Sequence, residues 1–130
     1  MATLRHVFVY GTLRRGDVRW HVLEPFVVGG ATDTVAGVIF DTGFDYPGAQ
    51  FGPTAGREGT IHGETFELRA DRLDDALAVL DDVEGVADGD YARVEVTTSR
   101  GYRAWAYAYG AVDDLPPIES GDWLSHRPLM

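Results

Sequence analysis

The sequence predicts an α+β fold, strand-rich and served by a few short helices, and three observations carry that expectation. Segments dense in β-branched and aromatic residues recur along the chain, with glycines between them about every eight to twelve residues. One segment, 71–83, carries apolar residues at helical spacing instead. No internal repeat, low-complexity tract or long charge block interrupts the pattern. At 130 residues the chain has the size of one ordinary domain, so residues 1–130 are expected to form a single unit.

The first strand is expected at residues 6–10, His-Val-Phe-Val-Tyr, whose nearly continuous apolar character suits a central position in a sheet. It stops at Gly11. Residues 12–20 carry Arg14, Arg15, Gly16 and Asp17, which is loop chemistry, and a short helix over 18–23 is expected to end before Pro25. Residues 34–40 and 61–68 read as strands whose glycines mark bulges or corners. Between them, 41–59 holds five glycines and two prolines, with Tyr46-Pro47 and Gly52-Pro53 favouring turns, so an irregular connection is expected.

Leu73, Leu77 and Leu80 form a stripe at i, i+4 and i+7, while Asp74, Asp75 and Asp81 face elsewhere; this predicts a helix over 71–83. Asp71 is the candidate N-cap. Gly85 marks the stop, leaving Glu84 at or just past the last turn. Residues 91–98 and 102–109 then read as a strand pair joined by Ser99-Arg100-Gly101.

Composition narrows the function. Hydrophobic residues make up 45% of the chain, yet no stretch approaches the roughly 20 apolar residues that span a bilayer. Residues 1–6 lack the order of a secretory signal, so a cytoplasmic protein is expected. Without cysteine there is no disulfide, thiolate metal site or cysteine nucleophile, and His6, His21, His62 and His126 are scattered without ligand spacing. The net charge of −10 opposes binding to nucleic acid or anionic membrane. All eleven basic residues are Arg and Asp outnumbers Glu, a balance suited to a high-salt or high-GC host.

Three segments carry candidate chemistry. In Tyr10-Gly11-Thr12-Leu13 a buried strand gives way to a glycine turn whose consecutive amides can converge on a carboxylate or a developing oxyanion; the alternative is a plain turn. Neither a Gly-x-Gly-x-x-Gly run nor a Gly-Lys-Ser/Thr ending follows, so this is no phosphate loop. Residues 80–86 place acids at a helix C-terminus, where the dipole disfavours negative charge and burial raises a carboxyl pKa towards neutrality. Asp81 and Asp82 read as surface acids; Glu84, between Val83 and Gly85, reads either so or as a proton acceptor and donor. In residues 104–109 the aromatics Trp105, Tyr107 and Tyr109 share one strand face and three alanines the other. Trp105 reads as core, and a Tyr hydroxyl can orient a polar ligand. Arg93, on the same face as Tyr91, offers either a partner for a ligand carboxylate or half of a structural ion pair.

Taken in order, the run from Val7 to Gly16, Tyr46-Pro47, Ile61-His62-Gly63-Glu64, the run from Leu80 to Gly85, Tyr91-Ala92-Arg93 and Trp105-Ala106-Tyr107 resemble the γ-glutamylcyclotransferase-like family, particularly its short γ-glutamylamine cyclotransferase type. The resemblance spans roughly residues 6–110. It implies a small mixed β-barrel with flanking helices and an intramolecular acyl transfer, of lyase or transferase type, that releases 5-oxoproline from a small γ-glutamyl substrate. It implies no metal and no organic cofactor. Carried over by position, Glu84 is the acid–base residue and Tyr10, Gly11, Thr12 and Leu13 cradle the substrate, with Tyr46 and Tyr107 lining the cavity.

Two other readings compete with the enzyme: a non-catalytic barrel binding γ-glutamyl or amino-acid-like ligands, and an interaction module built on residues 113–130, whose Pro116-Pro117 and Trp123 could dock a partner or pack on their own domain. The leaving amine is not specified by these residues, and segment 41–59 is expected to contact it.

Overall fold

Val7, Phe8 and Val9 offer water no polar side chain on either face, and a strand of that kind is stable only in the interior of a sheet. In the structure, a computed structural model that describes residues 4–52, 59–89, 91–110, 112 and 114–126, they form β1 (His6–Val9) and are almost wholly buried. Around β1 run β2 (Val27–Asp41), β3 (Pro47–Phe51), β4 (Thr60–Leu68), β5 (Tyr91–Thr97) and β6 (Arg103–Tyr109), in the sheet order β3-β2-β4-β1-β6-β5. The β1–β6 pair is parallel and the others are antiparallel, so the sheet is mixed.

β2 is twice the length expected. Its stretch from Val27 to Ala36 pairs with β4, and Gly37 to Asp41 pairs with β3. The chain changes partner at Gly37, where φ is +154° and a Cβ would lie 2.8 Å from Ile61 Cδ1, so glycine is required at this corner. The expected irregular connection is corrected here: Pro47 opens β3, because a proline at the first position of an edge strand forfeits no ladder bond. Pro53, Asp113 and residues 127–130 lie outside the described residues.

The sheet curls until β3 approaches β6. At the seam Gly48 presents bare backbone to Tyr109; a Cβ there would come within 2.6 Å of the Tyr109 Cβ. The Tyr91 hydroxyl donates to the Pro47 carbonyl at 2.6 Å, tying β5 to β3. The result is a nearly closed barrel held at its seam by tyrosines.

Alternation along the strands feeds two apolar clusters. Val7 and Val9 join Leu23, Phe26, Phe66, Tyr91 and Tyr107 beneath the helices, whereas Phe8 joins Ile39, Ile61, Ala104 and Ala106 on the barrel side. The helices are α1 (Trp20–Leu23), α2 (Leu73–Val83) and α3 (Trp123–His126). α1 ends at Leu23, ahead of Pro25 as expected, and the chain continues as a 3₁₀ turn, Glu24–Phe26, in which the missing N–H of Pro25 costs nothing. Asp71 does not cap α2. It lies in a 3₁₀ turn, Ala70–Arg72, and pairs with Arg69 at 3.3 Å, while α2 begins without a side-chain cap. No helix among the described residues is long and apolar enough to cross a membrane.

The C-terminal segment packs on its own barrel. Ile118 donates its amide to Ile39 O at 2.8 Å, Asp41 donates to Pro116 O at 2.9 Å, and Ile118 and Trp123 are buried against Ala104 and Ala106. The small alanines on that face of β6 leave the space the indole fills. Trp123→Ala should therefore lower stability by about 3 to 5 kcal/mol, measured as a shift in the urea midpoint at unchanged slope.

Candidate active site

The buried faces of Leu73, Ala76 and Leu80 lay α2 across the β1–β6 face, against Val7, Val9 and Tyr107. Its C-terminus is then set by local chemistry. Glu84 donates its amide to Leu80 O at 2.9 Å, and Gly85 turns left-handed at φ 70°, with its own amide on Asp82 O. This geometry ends the helix beside the C-terminal end of β1.

A cavity of about 290 Å³ opens between them. The wall from β1 is Tyr10, Gly11, Thr12 and Leu13; the opposing wall is Asp82, Val83, Glu84 and Gly85. Tyr46 and Pro47 enter from the start of β3, Tyr91 and Tyr107 from β5 and β6, and Arg19 and Asp88 complete the lining. Every residue assigned to the site from the sequence thus faces one space, although Glu84 lies more than seventy positions from the turn.

Gly11 is glycine for a steric reason. A Cβ there would lie 2.9 Å from Pro47 Cδ and Cγ, so β3 can close over the turn only if position 11 has no side chain. The turn is held by Arg14 N–H donating to Gly11 O at 3.0 Å and Arg19 N–H donating to Thr12 O at 2.9 Å. Among the described residues the amides of Gly11, Thr12 and Leu13 have no acceptor. Three consecutive amides at a cavity wall are donors for a negatively charged oxygen. Behind the turn, buried Glu64 accepts from Arg15 N–H at 3.1 Å and pairs with Arg14, which also reaches Asp122 at 2.9 Å.

Glu84 keeps partial solvent access, yet its carboxyl is crowded by protein. That desolvation raises its pKa to about 7, outweighing the opposing pull of the positive charge of Arg19. A carboxyl titrating near neutrality both accepts and returns a proton at working pH. The tyrosines stay protonated: burial pushes the hydroxyls of Tyr10, Tyr91 and Tyr107 well above the usual range, and Glu84 adds to each shift. Each of those hydroxyls is engaged, Tyr10 with Tyr107 O at 2.6 Å, Tyr91 with Pro47 O, and Tyr107 with Asp81 Oδ1 at 2.7 Å.

Asp81 is therefore more than the surface acid expected of it. It accepts from Tyr107 and pairs with Arg93 at 3.4 Å, and the Arg93 guanidinium lies 4.7 Å from the Trp105 ring. Of the two readings of Arg93 the structural ion pair holds. Sequence reasoning missed Arg19, one of three arginines in a short loop with nothing in its spacing to single it out, and also Tyr91, noted only for sharing a face with Arg93.

Residues 7–125 match the family described as gamma-glutamyl cyclotransferase, AIG2-like, and the chain belongs to that family. It is 36% identical over 121 residues to the gamma-glutamylcyclotransferase family protein YtfP of Escherichia coli K12, covering 91% of this chain and 95% of that protein. The solution structure of E. coli YtfP superposes with a TM-score of 0.60 at 33% identity, over 93% of this chain and 97% of that one. The crystal structure of Bacillus subtilis YkqA superposes at 0.73 with 26% identity; the match covers 95% of this chain but 41% of that longer one. The gamma-L-glutamyl-butirosin B gamma-glutamyl cyclotransferase of Niallia circulans is 28% identical over 127 residues, covering 94% of this chain and 77% of that protein. The family and the nearly closed mixed barrel are those implied by the sequence resemblance.

The raised pKa of Glu84 makes a prediction that needs no substrate. Between about 4.5 and about 7 the unfolded chain has released this proton and the folded chain still holds it, so the Glu84 contribution to stability falls as pH rises through that window and levels off above it. Glu84→Gln, which stays neutral, should match the wild type at pH 4.5 and exceed it at pH 8, by up to about 3 kcal/mol, in denaturant titrations at the two pH values. Parallel pH profiles for the two proteins would contradict a buried, titrating Glu84.

Proposed function

We propose that this chain cyclises a γ-glutamyl amine or peptide to 5-oxoproline and releases the amine, with Glu84 as general acid and base. The observation that carries the reading is a carboxyl titrating near pH 7 in one cavity with the unpaired amides of Gly11, Thr12 and Leu13. Family membership supports the reaction class, and the N. circulans relative, named for a γ-glutamyl substrate, supports the acyl group.

The α-amino group of such a substrate arrives protonated and cannot attack. Ionised Glu84 takes one proton; the neutral nitrogen then adds to the δ-carbonyl carbon and closes a five-membered ring. The carbonyl oxygen becomes an oxyanion facing the amides of the turn, where loss of a single donor typically costs about 3 to 4 kcal/mol in the barrier. Protonated Glu84 gives its proton to the leaving nitrogen, the C–N bond breaks, and the carboxylate collects the surplus proton from the ring nitrogen. That last proton leaves with the amine or solvent, so Glu84 ends as it began. Because nucleophile and electrophile belong to one bound molecule, a shaped pocket supplies much of the rate by alignment.

The tyrosines serve the same chemistry indirectly. Tyr107 and Tyr91 are held by Asp81 and by the Pro47 carbonyl, so their rings wall the cavity without competing for the proton. The leaving portion would pass the segment before β3, where Phe44 is exposed and stacks on Tyr46 at 6.1 Å.

The test is release of 5-oxoproline from a panel of γ-glutamyl amines and γ-glutamyl amino acids. For a productive substrate kcat/KM should rise with pH through about 7, as Glu84 ionises, and Glu84→Gln should bind ligand yet lose turnover by a factor of about 10² or more. Undiminished turnover in Glu84→Gln would refute the assignment. Binding without turnover across the panel would make the protein a non-catalytic γ-glutamyl-binding barrel instead.

A further inference from the structure

We infer that Arg19 anchors the α-carboxylate of the substrate's amino-acid head, an assignment that rests on the cyclotransferase reading and names what selects the γ-glutamyl group. Three observations converge on this residue.

The first is charge. Glu84, Asp82 and Asp88 line the cavity, and Arg19 is the sole basic residue among the described residues that do so. A substrate carrying a carboxylate enters a chain of net charge −10 and a pocket of the same sign, which favours a cation to receive it. The second is availability. The Arg19 guanidinium has five N–H donors, and among the described residues it makes one long hydrogen bond, Nη1 to Val83 O at 3.5 Å, and no ion pair. Contrast Arg14 and Arg93, which are committed to Glu64, Asp122 and Asp81. A partly buried, largely unused planar fork is suited to bidentate capture of a carboxylate.

The third is placement. The Arg19 amide is fixed to Thr12 O, which ties the residue to the oxyanion turn, and its side chain reaches the end of α2 close enough for its charge to act on Glu84. In a γ-glutamyl compound the ammonium and the carboxylate share one carbon. The group that takes the ammonium proton and the group that holds the carboxylate must therefore be neighbours, as Glu84 and Arg19 are. The turn amides then remain for the δ-carbonyl oxygen at the far end of the glutamyl chain. The competing role for Arg19 is purely structural, a cation at a helix C-terminus.

5-Oxoproline and 2-pyrrolidinone separate the two roles, because they differ only in the carboxylate and are independent of the leaving amine. Calorimetric titration of the full chain should show 5-oxoproline bound about 10- to 100-fold more tightly than 2-pyrrolidinone. Arg19→Met should abolish that preference by weakening 5-oxoproline alone, and Arg19→Lys, which keeps the charge and loses the fork, should retain part of it. Should Arg19→Met not fold, a reduced preference in Arg19→Lys carries the test. An unchanged preference in either folded variant, or equal binding of the two lactams by the wild type, overturns the inference and leaves Arg19 as a helix-end cation. Carboxylate preference lost with Arg19 in a protein that turns over no γ-glutamyl compound would sustain the anchor and sink the cyclotransferase reading; turnover with an Arg19-independent preference would do the reverse.

Discussion

Packing of α2 on the β1–β6 face governs everything at the site. Leu73 and Leu80 are buried with Ala76 between them, and full burial of a leucine contributes about 1.5 to 3 kcal/mol. The desolvation of Glu84, read from its pKa, costs about 3 kcal/mol above neutrality. The apolar stripe is thus large enough to hold a carboxylate where the carboxylate alone would not stay. The left-handed Gly85 stops the helix at that point, and β1 ends opposite it.

The tyrosines form a second framework. Tyr10 follows β1, Tyr91 and Tyr107 lie on β5 and β6, each is buried, and each donates its hydroxyl to a fixed oxygen. A hydroxyl that must donate to a carbonyl cannot ionise cheaply, and the nearby Glu84 makes ionisation harder still. The cavity wall therefore keeps one charge state while Glu84 changes its own. Asp81 extends the framework outwards to Arg93 and Trp105, so the last turn of α2 is bonded to β5 and β6 by polar contacts as well as packed upon them.

How much of this could be read from the chain follows from which signals are local. β1 declares itself by uninterrupted apolar residues, α2 by its leucine spacing, and the end of α2 by Gly85; each depends on residues within a turn or two. Glu84 stood out because its neighbours are apolar or glycine, whereas Asp81 looked like a surface acid because its partners, Tyr107 and Arg93, lie on other strands. β3 was invisible for a related reason: Pro47 and Gly48 are turn residues by local preference, and they form a strand only because β2 offers a ladder and Tyr109 needs bare backbone opposite. Arg19 stands out only in the fold, where it is the one base lining the cavity among the described residues. The exposed Gly29-Gly30 stretch of β2 likewise carries no alternation to mark it as strand.

The seam between β3 and β6 is mechanically unlike the other strand contacts. Everywhere else neighbouring strands share a ladder of backbone hydrogen bonds, but among the described residues no ladder joins β3 to β6; tyrosines span the gap, with the Tyr109 ring against Gly48, the Tyr91 hydroxyl on Pro47 O, and the Tyr10 hydroxyl bonded both to Tyr107 O and to the Ala49 backbone. Parting two strands along a ladder breaks a row of backbone bonds together, while parting them here breaks tyrosine hydroxyl bonds and unstacks a ring. The barrel's compliance is concentrated along that line, and the line borders the cavity, with Tyr46 and Pro47 on its edge. The fold is stiff where Glu84 is held and more yielding along one edge of the same cavity.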